Sequence, residues 1–552
     1  MTQPKMKQRF NTLVSLGSWL IGTTMVSPAI AAEEIKFYYN NLSQTVKVES
    51  LEAFAADGTV KPDLRTIFNL VKPDEAEKAK FQAILLKPFQ LNPVLLSRLL
   101  NTDEGDRLLT RLGDLIEIQG GTNGKSVLRG SMIQAAAKPK GLTILNFLQT
   151  LPTNMQINVR RTLQQAKNAD FLVKTTGELV DTTERLSQEE SKADPLSVDF
   201  SQLPNPGDKG SVSFTRERWD LRDENRERAF YVEVYRPKLP PSAKMPVIVL
   251  SHGLGERPET YYETGELLAS HGFLVAMPQH PGSDTKHKQA LLEGLARDIF
   301  SLNEFIDRPL DISYTLDELE RRNQQEFGGQ LNLTKVGAFG HSFGGYTALA
   351  VAGATIDTKH LDKDCASDIG GFNQALLLQC RALKLTQPLP MVKDERIGAV
   401  LVYNPVNASI FGPQGLAQVE VPVFVGAGSY DLSTPFIFEQ ARSFPWLVNA
   451  HQSYLLLQQG DSHVNIIKLG AGSYAIATSL LKLTLPDENL RQYYARPSIV
   501  AFAQVYVANN QEYLSYLHPS YDAYLSEGQE FKAFLITGKS APILNQSFPG
   551  TK

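Results

Sequence analysis

The sequence predicts an α/β protein: a doubly wound, mostly parallel sheet with helices on both faces, preceded by a mainly helical amino-terminal region. Three observations carry that prediction. Beyond about residue 206, short apolar runs alternate with helical stretches, at Val247–Leu250, Phe273–Met277, Val336–Phe339, Ala399–Tyr403, Val421–Gly426 and Tyr454–Leu457; such alternation marks parallel strands joined by crossover helices. Before residue 159 the apolar residues recur at helical spacing instead, as in Leu108, Leu109, Leu112, Leu115 and Ile116. Between the two regions lies a charged stretch that closes on Pro204-Asn205-Pro206-Gly207, a linker composition.

The chain has 552 residues, room for two domains, with 42% apolar and 21% charged residues, as in a soluble globular protein. A net charge of −4 and the lack of a basic stripe argue against nucleic acid as a partner. No motif implies a cofactor, and no Cys/His spacing implies a metal site.

The elements follow in order. Residues 1–31 form a secretory signal peptide: Lys5, Lys7 and Arg9 precede an apolar stretch from Leu13 to Met25, then Pro28 and the A-x-A site Ala29-Ile30-Ala31. Cleavage after Ala31 is expected, with Ala32 close behind; an uncleaved anchor is the alternative. The protein is thus expected to be exported, periplasmic or secreted. Residues 33–158 form the helical region, with Asn92-Pro93 opening a helix as cap and first residue. Within it, Gly120-Gly121-Thr122-Asn123-Gly124-Lys125-Ser126 imitates a phosphate loop, but the first Walker glycine would fall on Gln119. A turn capping a helix at Ser126 is the better reading. No catalytic constellation lies there, and a peripheral membrane or envelope contact is the role expected of this region. Residues 159–206 read as a helix and linker, 207–488 as the α/β domain, and 489–552 as a helical carboxy-terminal extension.

Chemistry concentrates at Lys335–Tyr346, KVGAFGHSFGGY. A Gly-x-Ser-x-Gly pentapeptide alone arises by chance roughly 0.2 times in such a chain. Here an apolar run ends at Gly340, and Ser342 is followed by Gly344-Gly345 and an apolar helical run. That is the strand–turn–helix of a nucleophile elbow. A serine hydroxyl needs a base and an orienting carboxylate, in chain order Ser, Asp/Glu, His. His463 follows the last apolar strand and is the expected base, ahead of His360 and His451. Asp431 follows Val423–Gly426 and is the expected acid, ahead of Asp461, which adjoins the base, and Glu420, which precedes its strand. Backbone N–H groups of Phe343 and Leu254, the latter in the glycine-rich Ser251–Gly255 loop, are expected to form the oxyanion hole. His252 and His341 adjoin these elements as hydrogen-bonded scaffold. Cys365 and Cys380 are expected to pair in an oxidising compartment, closing a short loop at a gain of ~3 kcal/mol.

Ser251–Gly255 (SHGLG), Leu268–Asp284 (LASHGFLVAMPQHPGSD) and Gly340–Gly345 (GHSFGG) resemble the platelet-activating-factor acetylhydrolase (isoform II-like) group of α/β-hydrolases. The chain as a whole, Glu33–Asn158 included, is similar to predicted cyanobacterial α/β-hydrolases with an amino-terminal domain of unknown function. The resemblance implies the α/β-hydrolase fold and a serine esterase acting on carboxylic esters, small-molecule or lipid. It departs at one point. In the acetylhydrolase group the acid resembles one carried just after the strand following the nucleophile, whereas here Ala399–Tyr403 leads into Asn404-Pro405-Val406-Asn407 without a carboxylate. An amidase or peptidase with the same triad, and a non-catalytic envelope binding protein on the same scaffold, are the competing expectations.

Overall fold

The computed structural model describes residues 32–89, 91–367, 372–447, 452–463, 484, 486–487 and 489–548. The signal peptide expected over 1–31 and His451 lie outside the described residues. The chain divides into two compact units, one of residues 32–97 and 109–163, the other of 98–108 and 164–548.

In the first unit most residues are helical, in α1 (Val48–Asp57), α2 (Pro62–Val71), α3 (Glu75–Leu86), the first part of α4 (Pro93–Leu100), the last part of α5 (Asp103–Gly113), α6 (Lys125–Ala136) and α7 (Ile144–Leu148). The start of α4 is capped as expected: Asn92 Oδ1 accepts the N–H groups of Val94 and Leu95 at 2.9 and 3.1 Å. The unit also contains a small sheet that helical periodicity did not reveal. Strands β1 (Glu34–Tyr39), β2 (Leu42–Lys47), β3 (Ile116–Ile118), β4 (Thr122–Asn123) and β5 (Met155–Asn158) align in the order β2-β1-β5-β3-β4. Their shortness and charged alternation hide them. The Gly120–Ser126 segment is the β3–β4 turn and the start of α6, with Gly120 and Gly121 at φ 98° and 83° and Gly124 as the cap residue. Phe54, Phe68 and Phe81 cluster with centroids 5.4–6.3 Å apart and anchor this unit's core.

The second unit is built on a nine-stranded sheet, ordered β14-β13-β12-β11-β10-β8-β9-β7-β6 among the described residues. The parallel centre comprises β8 (Met245–Ser251), β9 (Leu274–Pro278), β10 (Leu331–His341), β11 (Ile397–Tyr403), β12 (Val423–Gly428) and β13 (Ser453–Gln458). Antiparallel strands close both flanks: β6 (Phe214–Asp223) and β7 (Arg228–Pro237) on one side, β14 (Ala533–Thr537) on the other. The period of two sorts side chains into two cores. Val247, Val249, Val400, Val402, Val423, Val425, Leu455 and Leu457 face one core. Ile248, Leu250, Ala399, Leu401, Phe424, Tyr454 and Leu456 face the other. The first is covered by α8 (Val159–Ala193), α10 (Glu304–Phe327) and α11 (Phe343–Val351), the second by α9 (Tyr262–Ser270) and α12 (Leu490–Tyr506). Because both faces are buried, these strands read as unbroken apolar runs.

Two features of the expected division look different in the structure. The expected helical extension over 489–552 holds α12, which covers one core, and also β14, which pairs antiparallel with β13 and adds a strand to the sheet. Arg98–Leu108, expected within the amino-terminal region, belongs to the second unit, where buried Arg381 lies 3.4 Å from Glu104 Oε1. Cys365 and Cys380 form a disulfide with Cα atoms 5.8 Å apart. Among the described residues no helix is long and apolar enough to cross a membrane.

Candidate active site

Ser342 stands between β10 and α11 with φ 57° and ψ −120°, a conformation that is strained for any residue with a Cβ, at about 1–3 kcal/mol. Its surroundings hold it there. The Ser342 N–H donates to the Tyr403 carbonyl at 3.0 Å, and its own carbonyl accepts from Gly345 and Val406 at 2.9 and 3.2 Å. The flanking glycines are a steric requirement. A Cβ on Gly340 would collide with the Gly344 backbone, and one on Gly344 with the Ser251 carbonyl. The second collision also shows how closely the loop after β8 is laid against the elbow.

Asp431 and His463 meet Ser342 from the loops after β12 and β13. Ser342 Oγ lies 2.8 Å from His463 Nε2, and His463 Nδ1 lies 2.8 Å from Asp431 Oδ2. The carboxylate fixes the tautomer: Nδ1 carries the proton, leaving Nε2 to accept from the serine hydroxyl. Asp431 is buried, with its Oδ1 accepting the N–H groups of Ser433 and Thr434 at 2.8 Å each. Thr434 Oγ1 adds a bond to Oδ2 at 2.7 Å. Burial works against the charge on Asp431, but His463 and these donors outweigh it and hold its carboxyl below the usual range.

The rivals fall elsewhere. Asp461 Oδ1 accepts from Arg491 Nε at 2.8 Å, and His360 packs with Arg442, Asp364 and Trp446. The His341 ring lies against that of His463, centroids 4.7 Å apart with the planes tilted by 38°, and its Nδ1 meets the Tyr261 hydroxyl at 2.9 Å. Burial lowers the His341 pKa. Tyr261 donates in turn to Glu256 Oε2 at 2.5 Å.

Several amides of the loop after β8 are engaged within the protein. Gly253 N–H donates to Glu256 Oε2 at 2.9 Å, Gly255 N–H to the Ser283 carbonyl at 2.7 Å and Glu256 N–H to the Gly253 carbonyl at 3.4 Å. Among the described residues the Leu254 and Phe343 amides have no protein acceptor, the condition an anion-binding pair must meet. Glu256 is held down to about 2: burial opposes its charge, and His341, Tyr261 and the Gly253 amide overcome that.

Sequence reasoning passed over Thr434, Glu256 and Tyr261. Only Thr434 left a signal, since Asp-x-x-Thr after a strand is an Asx-type turn in which the side chain bonds amides just ahead of it. The others act through packing between distant segments. Among the described residues no group of three or more His, Cys, Asp or Glu is arranged to hold a metal ion.

Comparison with known proteins agrees with this architecture. Residues 31–158 match a family model described as an alpha/beta hydrolase of unknown function (DUF1400), and residues 246–362 match the alpha/beta hydrolase fold model. A platelet-activating factor acetylhydrolase from Cavia porcellus is 29% identical over 136 residues, a match covering 19% of this chain and 31% of that protein. The chain therefore spans about a third of that relative's length. It carries the α/β-hydrolase fold and resembles that acetylhydrolase, which supports hydrolase chemistry.

Proposed function

We propose that the protein is an exported serine hydrolase that cleaves carboxylic esters, lipid esters among them, through an acyl-enzyme on Ser342. The observation that carries the reading is the hydrogen-bonded series Ser342 Oγ–His463 Nε2–Asp431 Oδ2, at 2.8 Å in each link. His463 Nε2 takes the hydroxyl proton as Ser342 Oγ adds to the ester carbonyl. The oxyanion so formed is held by the N–H groups of Leu254 and Phe343. Collapse expels the alcohol, which leaves with the proton from His463. Water then gives a proton to Nε2 and its oxygen adds to the acyl carbon; a second collapse returns the proton to Ser342 and releases the acid. Asp431, ionised throughout, stabilises the imidazolium.

Export is supported by the amino-terminal pattern of residues 5–31 and by the Cys365–Cys380 disulfide, a bond of oxidising compartments. The amino-terminal unit is proposed to make a peripheral membrane or envelope contact. The weak acetylhydrolase similarity favours an ester over an amide as substrate.

The test is hydrolysis of p-nitrophenyl esters by the mature protein, with fluorophosphonate labelling in parallel. Ser342→Ala should abolish labelling and lower kcat by about 10⁴-fold or more. Full activity in that variant sinks the reading. Matched ester and amide substrates separate an esterase from an amidase, and failure of the wild type to label would return the protein to a binding role.

A further inference from the structure

A second Ser–His–Asp array lies behind the oxyanion loop. Ser251 Oγ is 2.9 Å from His280 Nε2, and His280 Nδ1 is 2.9 Å from Asp311 Oδ2. All three residues have no exposed surface, so substrate cannot reach Ser251 as a nucleophile. Asp311 is pinned further by Arg226 Nη1 at 3.0 Å and by Arg228 Nε and Nη2 at 2.8 Å each. The array therefore fixes where β8 ends.

Its connection to the site runs through His252. The backbone N–H of His280 donates to His252 Nε2 at 3.1 Å, and His252 Nδ1 lies 2.8 Å from the Gly253 carbonyl. Since Nε2 accepts, the proton sits on Nδ1 and is donated to that carbonyl. Burial, reinforced by Arg308 and the neighbouring imidazole, holds His252 neutral, as this pattern requires. The Gly253 carbonyl and the Leu254 N–H share one peptide unit. A hydrogen bond to the oxygen polarises the unit and fixes the direction of its N–H.

Arg308 reaches both walls. It is completely buried and donates to the His252 carbonyl, and its guanidinium carbon lies 4.5 Å from the centre of the Phe343 ring. Its Nε and Nη1 have no hydrogen-bond partner among the described residues. Burying a guanidinium so incompletely paired is costly, and such departures from good packing concentrate at functional sites.

We infer that His252, carried by the Ser251–His280–Asp311 array, and Arg308 are positioning residues that aim the Leu254 N–H at the oxyanion and register it against Phe343. The inference rests on the reading of Leu254 and Phe343 as oxyanion donors. It assigns the buried array to alignment of a peptide rather than to chemistry of its own.

The test uses the full mature chain with His252→Leu, His252→Asn, Arg308→Met and Arg308→Lys. Asn retains an N–H where Nδ1 stood; Leu does not. Three quantities are read: kcat and KM on p-nitrophenyl butyrate, the affinity of an alkyl boronic acid that forms a tetrahedral adduct, and hydrogen exchange of the Gly253, Gly255 and Glu256 amides. Loss of one oxyanion donor costs on the order of 10²–10³ in turnover, so misaiming it in His252→Leu or Arg308→Met should lower kcat by about 10–100-fold. Boronate affinity should fall in proportion while KM moves little, and exchange of the three amides should accelerate. His252→Asn should recover most of the loss. Should a Leu or Met variant fail to fold, Arg308→Lys and His252→Asn carry the test, with Arg308→Lys expected to lower kcat about tenfold at unchanged KM. Wild-type kcat, boronate affinity and exchange in a folded His252→Leu, Arg308→Met or Arg308→Lys variant would overturn the inference, as would His252→Asn as impaired as His252→Leu. A wild type inactive on every ester sinks the functional reading instead, and the exchange measurement then decides the positioning role.

Discussion

Tyr346 donates its hydroxyl to the backbone carbonyl of Phe305 at 2.8 Å. In α10 that carbonyl faces Pro309, four residues on, which has no N–H to give it. The helix that follows Ser342 thus repairs the hydrogen-bond gap in the helix packed beside it. Tyr346 also stacks on Phe411, centroids 5.0 Å apart. Tyr346→Phe keeps the stack and strands the carbonyl, so chemical denaturation should show a loss of about 1–3 kcal/mol. No loss would mean that another donor closes the gap.

Asp431 and Asp461 offer a paired test of which carboxylate serves the base. Asp431→Asn should lower kcat by about 10³–10⁴-fold, by favouring the wrong imidazole tautomer. Asp461→Asn, which only weakens the Arg491 contact, should act mainly on thermal stability. Equal losses in kcat would assign the acid to both.

The depressed pKa of Asp431 adds a pH signature. A carboxyl whose folded pKa lies below its unfolded value of about 3.9 stabilises the fold fully above that value. The contribution is lost as pH falls through the folded pKa. Asp431→Asn should therefore flatten the acid limb of the stability curve below about pH 4, measured by thermal unfolding from pH 2 to 6.

Thr434 ties the acid to the scaffold. Its hydroxyl lies 2.7 Å from Asp431 Oδ2, 3.2 Å from His463 Nδ1 and 3.2 Å from the Asn404 carbonyl. Thr434→Val keeps the shape and removes these bonds. A fall in kcat of about 3–20-fold at constant KM is expected, since the two amide bonds to Oδ1 remain. Thr434→Ser should restore it.

Asp522 has the opposite sign. It is buried, its Oδ1 has no hydrogen-bond partner among the described residues, and burial pushes its pKa up to about 8. Between about pH 4 and 8 the folded protein keeps a proton that the unfolded chain has released, so stability falls as pH rises. Asp522→Asn should melt higher than wild type at pH 8 and approach it near pH 4.5. Parallel melting curves across that range would contradict the assignment.

The apolar centre of the sheet was legible because strands buried on both faces carry no polar alternation. The grouping of Ser342, Asp431 and His463 was legible for a related reason, since each of them follows the carboxyl end of such a strand. Flanking strands β6 and β7 were not among the apolar runs picked out: in β6, Phe214-Thr215-Arg216-Glu217-Arg218 is half-solvated and charged, with no continuous apolar run to mark it. β14 was absorbed into a helical reading of the tail. The array under the oxyanion loop had no sequence signal at all, because Asp311 sits in mid-helix and meets His280 only through tertiary packing. Asn404 is instructive in a different way. Where the resembled acetylhydrolases carry their acid, this chain places an asparagine whose Oδ1 accepts from Gly428 and whose carbonyl accepts from Thr434. At this position the chain braces the loop that carries Asp431 and Thr434.

The pairing of β14 with β13 covers the edge of that strand with a segment that lies beyond Ser342, Asp431 and His463 in the chain. Until Ala533–Thr537 dock, β13 presents a bare, apolar edge, a template for association with other chains. β13 is also the strand that delivers His463. That edge is covered only after Ser342, Asp431 and His463 have all been made, so a chain cut before residue 533 would hold all three and leave the edge open to association.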